Sequence, residues 1–228
     1  MTHLRPHEEV AERVLLPGDP GRALRLAQQL IAGPKMLNHH RGLWGYTGPA
    51  ADGRPLTIQS TGLGGPSTAI VVEELIALGA RRLVRVGTGT ALDGTLELGL
   101  LVIAEAVQAQ DGASRALGAT GPLAADPELL AALRAAASEA ATSREARGSG
   151  AVTGTVASTD LHYDAPEAPA GAIAADLSTG ALFAVAARRG ARAACVLAIS
   201  AAEGRRLEPE ALEAAEAELG RVGAAALG

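Results

Sequence analysis

The sequence has few of the residues on which several classes of protein depend. Its 228 residues include one cysteine, Cys195, so no disulfide can form within the chain. This excludes a disulfide-rich secreted scaffold and fits a reducing cytoplasm. Aromatic residues make up only 2% of the chain, which leaves few rings on which nucleic-acid bases can stack. Lys35 is the only lysine, so arginine supplies nearly all the positive charge.

Long apolar runs are also missing. No run approaches the roughly 20 residues needed to span a bilayer, and the first ten residues, MTHLRPHEEV, are too charged for the core of a signal peptide. The formal net charge is −5, whereas a general nucleic-acid binder needs a basic surface. We therefore expect a cytoplasmic protein that binds neither membranes nor nucleic acid.

The apolar residues alternate between short strand-like runs and longer helix-like ones. The pattern predicts strands at 14–18, 56–60, 83–87, 100–107, 152–156 and 193–200, and helices at 20–31, 66–78, 126–141, 178–189 and 208–227. Such alternation is typical of a largely parallel sheet covered by helices. We expect one α/β domain over residues 1–228, with surface loops at 142–150 and 164–171.

Three glycine-rich segments follow predicted strands, at the edge of the sheet where α/β proteins bind ligands. In the first, LPGDPGR at 16–22, a strand ends in glycine and a helix begins at once. Free backbone N–H groups and the helix dipole make such a corner suitable for an anion. Arg22, in the first helical turn, can reach the same point. An ordinary turn with a surface arginine explains this segment equally well on its own.

The other two glycine-rich segments differ in how strongly they indicate a ligand site. TGLGGPS at 61–67 fits neither the phosphate-binding loop of nucleotide hydrolases nor the dinucleotide fingerprint, and alone it is a weak signal. In LVRVGTGT at 83–90, Arg85 lies inside an apolar strand, which is costly unless its charge is paired. Its partner is either a structural carboxylate or an anionic ligand, for which Thr88 adds a donor. Three such strand ends, two of them with arginines, favour the anionic ligand.

Other candidate sites are weaker. His39 and His40 are adjacent and cannot easily face one metal ion, so we expect no metal site. The sequence has no G-x-S-x-G elbow, and nothing nominates a Ser-His-Asp set. Cys195 lies in a predicted strand, and we expect an inert core thiol.

Taken together, the segments LLPGDPGR, NHHRGLWGYTG and TGLGGPSTAIVVEELIALGARRLVRVGT resemble the trimeric and hexameric class of nucleoside phosphorylases. The resemblance runs from about residue 7 to about residue 200, and the tail helix fits as well. It implies an α/β domain with a twisted, mixed central sheet flanked by helices. It also implies active sites at dimer interfaces, dimers that assemble into a homohexamer, and reversible phosphorolysis of a nucleoside to free base and ribose 1-phosphate.

The resemblance assigns the phosphate site to Gly18, Arg22, Arg85 and Thr88, with Arg41 reaching in from the neighbouring subunit. Inorganic phosphate is then a co-substrate, and no cofactor is expected. The ribose and base contacts fall on His7, Leu63, Tyr163, Asp176, Leu177 and Ser178, with His7 presented by the neighbour to the ribose 5′-hydroxyl.

The second half of the chain departs from the family pattern on the catalytic side. Asp176-Leu177-Ser178 stands where the family has Glu-Met-Glu, so Ser178 replaces the glutamate that grips the ribose hydroxyls. Ala201 replaces the aspartate that protonates a leaving purine, and general acid help is worth roughly 10²–10⁴-fold. His162 replaces a stacking phenylalanine, and Thr90 replaces a glycine of the base pocket. Neither the glutamine nor the arginine that reads uracil is found between Tyr163 and Asp176, so uridine specificity is not expected.

Three hypotheses follow. The first is a phosphorylase of purine nucleosides, weak or altered in specificity, in which His162 replaces the missing acid or merely lines the pocket. The second is a catalytically impaired member that binds phosphate or a phosphorylated sugar. The third, a nucleosidase that uses water, is disfavoured because water needs no phosphate-binding arginines.

Overall fold

The computed structural model describes residues 1–142, 150–163 and 169–228, so parts of both predicted loops lie outside the described residues. Within these ranges the chain forms eleven strands: β1 (Arg13–Pro17), β2 (Lys35–Asn38), β3 (Gly45–Pro49), β4 (Pro55–Gln59), β5 (Arg82–Ala91), β6 (Leu101–Ala109), β7 (Leu123–Ala124), β8 (Ala151–Ser158), β9 (Ala172–Asp176), β10 (Arg192–Ala202) and β11 (Arg205–Arg206). The helices are α1 (Pro20–Leu30), α2 (Gly64–Ala77), α3 (Gly112–Ala116), α4 (Pro127–Thr142), α5 (Thr179–Arg189) and α6 (Pro209–Ala226). A short 3₁₀ turn covers His40–Gly42.

All strands belong to one mixed sheet. Its order is β11-β10-β6-β8-β9-β5-β1-β4-β3-β2, with β7 added beside β6. Strand β10 also pairs with β5, so that β5, β10, β6, β8 and β9 close into a ring. Pairing is parallel for β5 with β1 and β10 and antiparallel for β2, β3 and β4 among themselves. The twisted mixed sheet that the resemblance implies is confirmed, whereas a largely parallel sheet is wrong.

Five of the helices begin within two residues of the predicted starts, whereas α3 was not predicted. The Asp19 side chain accepts a hydrogen bond from the Arg22 backbone N–H at 2.6 Å, and Pro20 starts α1. Asp126 caps α4 in the same way, because its carboxylate accepts from the N–H of Leu129 at 3.0 Å. Helix α5 ends at Gly190, whose φ of 66° is the left-handed conformation that glycine adopts without strain.

Helix α6 packs closely over α1 and β5 because two of its residues are glycines. A Cβ on Gly220 would lie 2.2 Å from Cδ2 of Leu26, and one on Gly223 would lie 2.6 Å from Cγ1 of Val86. Neither distance leaves room for a side chain. This close packing brings the middle of α6 to the carboxyl ends of β1 and β5. Among the described residues, no helix is long and apolar enough to cross a membrane.

Candidate functional site

The three glycine-rich strand ends lie side by side. Strands β1 and β5 are parallel neighbours, with Leu16 opposite Arg85. The turn after β4 joins them, because the N–H of Thr61 donates to the Pro17 carbonyl at 2.9 Å and that of Gly62 to the Gly18 carbonyl at 3.0 Å. The structure therefore brings the three segments to one edge of the sheet, as expected for an α/β ligand site.

Arg85 is buried beneath this edge and paired with a carboxylate. Its Nε donates to Oδ2 of Asp176 at 2.9 Å, and neither side chain is more than 7% exposed. Gly87 makes room for the guanidinium, since a Cβ there would lie 2.6 Å from Nη2 of Arg85. The Nη1 atom is buried and has no hydrogen-bond partner among the described residues. It lies 3.9 Å from where a Cβ on Gly18 would be.

Asp176 holds several groups besides Arg85. Its carboxylate accepts hydrogen bonds from the backbone N–H of Thr179 at 3.1 Å, from the Thr179 hydroxyl at 2.8 Å and from the Ser158 hydroxyl at 3.2 Å. It therefore anchors the first turn of α5 and the end of β8 as well as the arginine. The structural carboxylate that Arg85 requires is Asp176, and one of the arginine's terminal nitrogens has no acceptor within residues 1–142, 150–163 and 169–228.

Arg22 reaches the same region from α1. Its Nη1 donates to the carbonyl of Val86 at 3.3 Å, directly after Arg85, and its Nη2 donates to Oε1 of Glu216 at 2.5 Å. The Nε atom is buried and, within the part of the chain that the structure describes, makes no hydrogen bond. Arg22 and Arg85 thus each have a carboxylate partner and one buried nitrogen that finds no acceptor in the described part of the chain.

Glu216 was not predicted from the sequence, although a signal exists. It lies on α6 in the buried stripe with Leu219, Gly220 and Gly223, at spacings of three, four and seven residues. A carboxylate in the apolar stripe of a helix requires a buried cation. Thr88, the remaining predicted phosphate contact, is half-buried on β5 opposite Ala198 of β10.

The two residues predicted to serve a neighbouring subunit lie near the free end of the sheet, beside β2 and β3. Arg41 is exposed in the 3₁₀ turn and has a φ of 61°, a left-handed conformation that is uncommon for a residue other than glycine. The exposed ring of His7 stacks on that of His39 with centroids 5.3 Å apart. Asn38 joins the two segments, since its Oδ1 accepts from the Arg5 N–H at 2.9 Å and its Nδ2 donates to the Leu43 carbonyl at 2.5 Å.

His40 and Cys195 also have perturbed pKa values. Partial burial and the nearby charges of Arg5 and Arg41 lower the pKa of His40. Burial raises the pKa of the Cys195 thiol to about 12, as expected for an inert core cysteine. Among the described residues no group of three His, Cys, Asp or Glu side chains is arranged to hold a metal ion.

The predicted base and ribose contacts are open to solvent on one side. His162 and Tyr163 are exposed, with their rings edge-on at 4.8 Å, and Tyr163 is 76% exposed. Leu63, before α2, is 87% exposed. Ser178 is buried at the start of α5 and Leu177 is half-buried, both directly after Asp176. Thr90 and Ala201 are opposite each other on β5 and β10.

Two cavities lie away from this site. One of about 140 Å³ lies beside α5, and one of about 460 Å³ lies at the opposite edge of the sheet, between Arg13, Arg54 and Arg82. No predicted site residue lines either of them. Arg13 and Arg82 are already engaged there, since both donate to the carbonyl of Leu227.

The fold is that of an α/β protein with a candidate anion site at one edge of its sheet, where two buried arginines, Arg22 of α1 and Arg85 of β5, lie beside the end of β1. Comparison with known proteins makes the class specific. The profile of the Phosphorylase superfamily matches residues 12–227, and the chain belongs to the nucleoside phosphorylase family.

Several relatives cover most of this chain. The purine nucleoside phosphorylase DeoD-type of Geobacillus kaustophilus is 34% identical over 200 residues, which cover 84% of this chain and 81% of the relative. That of Clostridium perfringens is 35% identical over 199 residues, 84% of this chain and 82% of the relative. The uridine phosphorylase of Thermococcus kodakarensis is 39% identical over 156 residues, 68% of this chain and 53% of the relative.

Proposed function

We propose that this protein is a nucleoside phosphorylase that converts purine nucleosides and inorganic phosphate to free base and ribose 1-phosphate. The observation that carries the proposal is a pair of buried guanidinium nitrogens, Nε of Arg22 and Nη1 of Arg85, that have no hydrogen-bond partner in the described ranges of the chain. Buried donors without acceptors are costly, and an oxyanion accepts from both. The names of the relatives that cover most of the chain support phosphorolysis and purine nucleosides.

The proposed phosphate site combines fixed donors with a helix N-terminus. Arg22 and Arg85 hold the anion at the end of β1, next to Gly18 and the positive end of the α1 dipole. Thr88 adds a hydroxyl donor, and Arg41 of a second subunit completes the set. Holding phosphate in line with the anomeric carbon makes an otherwise bimolecular attack effectively intramolecular. A phosphate oxygen bonds to C1′ as the C1′–N bond breaks, and the electron pair leaves with the base.

The ribose side of the site is expected to be weak. The Asp176 carboxylate is occupied by Arg85, Thr179 and Ser158, so it is not free to bind the ribose hydroxyls. That task falls to Ser178, which is shorter than glutamate and carries no charge to stabilise an oxocarbenium-like transition state. His7 of the second subunit binds the 5′-hydroxyl. We therefore expect slow turnover.

The assembly and location follow from the same proposal. Since Arg41 and His7 act on a neighbouring site, the working form is a dimer or a hexamer built from three dimers. Phosphate is the co-substrate, and no cofactor is required. The proposed location is the cytoplasm. Nucleosides and phosphate are found there, and a single, buried, unpaired cysteine fits its reducing conditions.

Ala201 and Ser178 favour a second candidate function. Loss of the general acid and of the ribose carboxylate, beside intact phosphate arginines, suits a protein that binds phosphate or a phosphorylated sugar without turnover.

Release of free base separates the two functions. Adenosine, inosine, guanosine and uridine are incubated with the protein, with and without phosphate, and Arg85→Ala serves as the inactive control. A phosphorylase releases purine bases only with phosphate, and the control abolishes that release. Because Arg85→Ala leaves Asp176 buried without its cation, the exposed Arg41→Ala is the matched second variant. No release from any nucleoside, with phosphate still bound, would establish the binding function.

A further inference from the structure

Glu216 is a buried carboxylate that the proposed reaction does not use directly. Its side chain is 7% exposed and accepts hydrogen bonds from two different arginines. Oε1 accepts from Nη2 of Arg22 and Oε2 from Nη2 of Arg25, each at 2.5 Å. A buried carboxylate is tolerated when its oxygens are paired in this way. Glu216 therefore bridges one arginine of the proposed phosphate site to a second arginine nearer the surface.

The bridge determines the direction of the Arg22 guanidinium. The group is planar, with five N–H bonds in a fixed fork. Nη2 is held by Glu216 and Nη1 by the carbonyl of Val86, so the direction of the Nε–H bond is determined. That bond belongs to the buried nitrogen without a partner in the described structure. Without the carboxylate, the long arginine side chain would regain rotamer freedom, and phosphate binding would have to restore its order.

Helix α6, which carries Glu216, is held in place by close packing. Gly220 and Gly223, one and two turns further along α6, bring that helix against Leu26 of α1 and Val86 of β5. Arg25, whose side chain is 42% exposed, donates to the carboxylate oxygen of Glu216 that does not bind Arg22. Glu216 therefore links the position of α6 directly to the guanidinium of Arg22.

We propose that Glu216 is a positioning residue for phosphate, with Arg25 as its outer support. The carboxylate orients Nε of Arg22 toward the anion and thereby sets the affinity for phosphate, while the chemistry at C1′ does not involve it. This inference rests on the proposed phosphate site.

The test measures binding of inorganic phosphate to the full-length protein by calorimetry, and the KM for phosphate and kcat by base release. Glu216→Ala is expected to weaken phosphate binding about 10- to 100-fold, the loss that accompanies misplacement of a binding group. Glu216→Gln is expected to lose less, because its amide oxygen can still accept from Arg22. Arg25→Ala is also expected to lose less than Glu216→Ala. The value of kcat at saturating phosphate and the KM for nucleoside should not change. Glu213→Gln, an exposed glutamate on the same helix, is the matched control and should behave as wild type.

The outcomes are distinct. Unchanged phosphate affinity in folded Glu216→Gln and Arg25→Ala proteins would overturn the inference, even if both melt at a lower temperature. Tighter phosphate binding by Glu216→Gln would also overturn it, because the carboxylate would then compete with phosphate. If wild type binds phosphate without releasing base, weaker binding by the variants upholds the inference while the proposed function fails. If wild type binds no phosphate, both fail. Should Glu216→Ala not fold, the other two variants decide, since Arg25 lies at the surface.

Discussion

At the scale of single residues, the pairing of Arg85 with Asp176 dominates the site. The two charges are almost fully buried, so removal of the Asp176 carboxylate leaves the Arg85 cation buried without its partner. It also removes the acceptor of the Thr179 and Ser158 hydroxyls. Asp176→Ala is expected to lower the free energy of unfolding by about 3–5 kcal/mol. Urea denaturation measures this loss, and Asp93→Ala is the control with little change, since among the described residues that carboxylate accepts only from Thr95. Equal effects of both substitutions would contradict a structural role for Asp176.

His162 is the residue-scale candidate for the missing acid. An imidazole titrates near neutral pH and suits proton donation to a leaving base. If it has that role, His162→Ala should reduce kcat by about 10²-fold or more. Leu161→Ala, an exposed neighbour, is the control in the same steady-state assay. Similar reductions in the two variants would mean that His162 only lines the pocket.

The sequence predicts part of this residue-scale picture. Arg85 in an apolar strand requires a buried partner or a ligand, and the structure supplies Asp176, while one buried nitrogen has no acceptor among the described residues. The identity of the partner was not predictable, because Asp176 is 91 residues away and reaches β5 only through the pairing of β9. Its place in the apolar stripe of α6 could have marked Glu216 as a buried carboxylate. The sequence does not indicate which arginines pair with it.

At the scale of secondary-structure elements, the N-terminal segment is fastened to α2 by one carboxylate. Glu74 accepts hydrogen bonds from the backbone N–H groups of Thr2, His3 and Leu4. Burial opposes ionisation, but these hydrogen bonds outweigh it and lower the pKa of Glu74 below its ordinary value of 4.5. Since the folded state lowers this pKa, the carboxylate stabilises the fold above pH 4.5, and this contribution disappears as the pH falls through the folded value.

Glu74→Gln is therefore expected to reduce stability by about 1 kcal/mol at pH 7. The difference from wild type should shrink as the pH falls below the ordinary carboxyl value, because wild type then loses the same charge. Denaturant titrations from pH 7 to pH 3 measure this, with the exposed Glu213→Gln as the control. A difference that persists undiminished at pH 3 would contradict the electrostatic explanation.

The packing of α6 is a second prediction at this scale. Gly223→Ala favours the helix intrinsically, but its Cβ would meet Val86 Cγ1 at 2.6 Å and Leu15 Cδ1 at 2.8 Å. We expect overpacking to prevail and to lower the free energy of unfolding by about 1–3 kcal/mol. Thermal melting measures the change, and Ala225→Gly, on the same helix, reports the propensity effect alone. A more stable Gly223→Ala protein would contradict the close packing.

The long elements were predictable and the short ones were not. The six predicted strands and five predicted helices each correspond to an observed element within a few residues. Strands β2, β3, β7, β9 and β11 and helix α3 are missing from the prediction, because each has at most five residues and gives no long apolar run. These strands are held by pairing with their neighbours rather than by their own sequence: β2 with β3, β3 with β4, β7 with β6, β9 with β5 and β8, and β11 with β10.

At the scale of the whole molecule, the site is expected to need two copies of the chain. Arg41 and His7 lie near the free end of the sheet, exposed and held by Asn38 in one cluster. The closure of five strands into a ring, which brings β5, β9 and β10 together, depends on contacts between distant segments that no local pattern predicts. That the glycine-rich segments meet at one edge was itself predictable, because the segments that follow neighbouring parallel strands emerge at the same edge of a sheet.

Complementation between two inactive variants tests the shared site. Arg41→Ala and Arg85→Ala are each expected to be inactive, but a mixed dimer has one site with both arginines intact. Co-expressed and co-purified variants should therefore recover activity that neither has alone, and light scattering should give a dimer or larger. No recovery in verified mixed dimers, or a wild-type monomer in solution, would contradict the shared site.

The central claim is that the two buried arginines bind phosphate as a reactant. Phosphorus NMR of wild-type protein with inosine and phosphate tests it most directly, because it observes the fate of the phosphate itself. The account predicts a ribose 1-phosphate signal that grows in equal amount with free hypoxanthine. Free base without a sugar phosphate, or no reaction while phosphate binds, would contradict it.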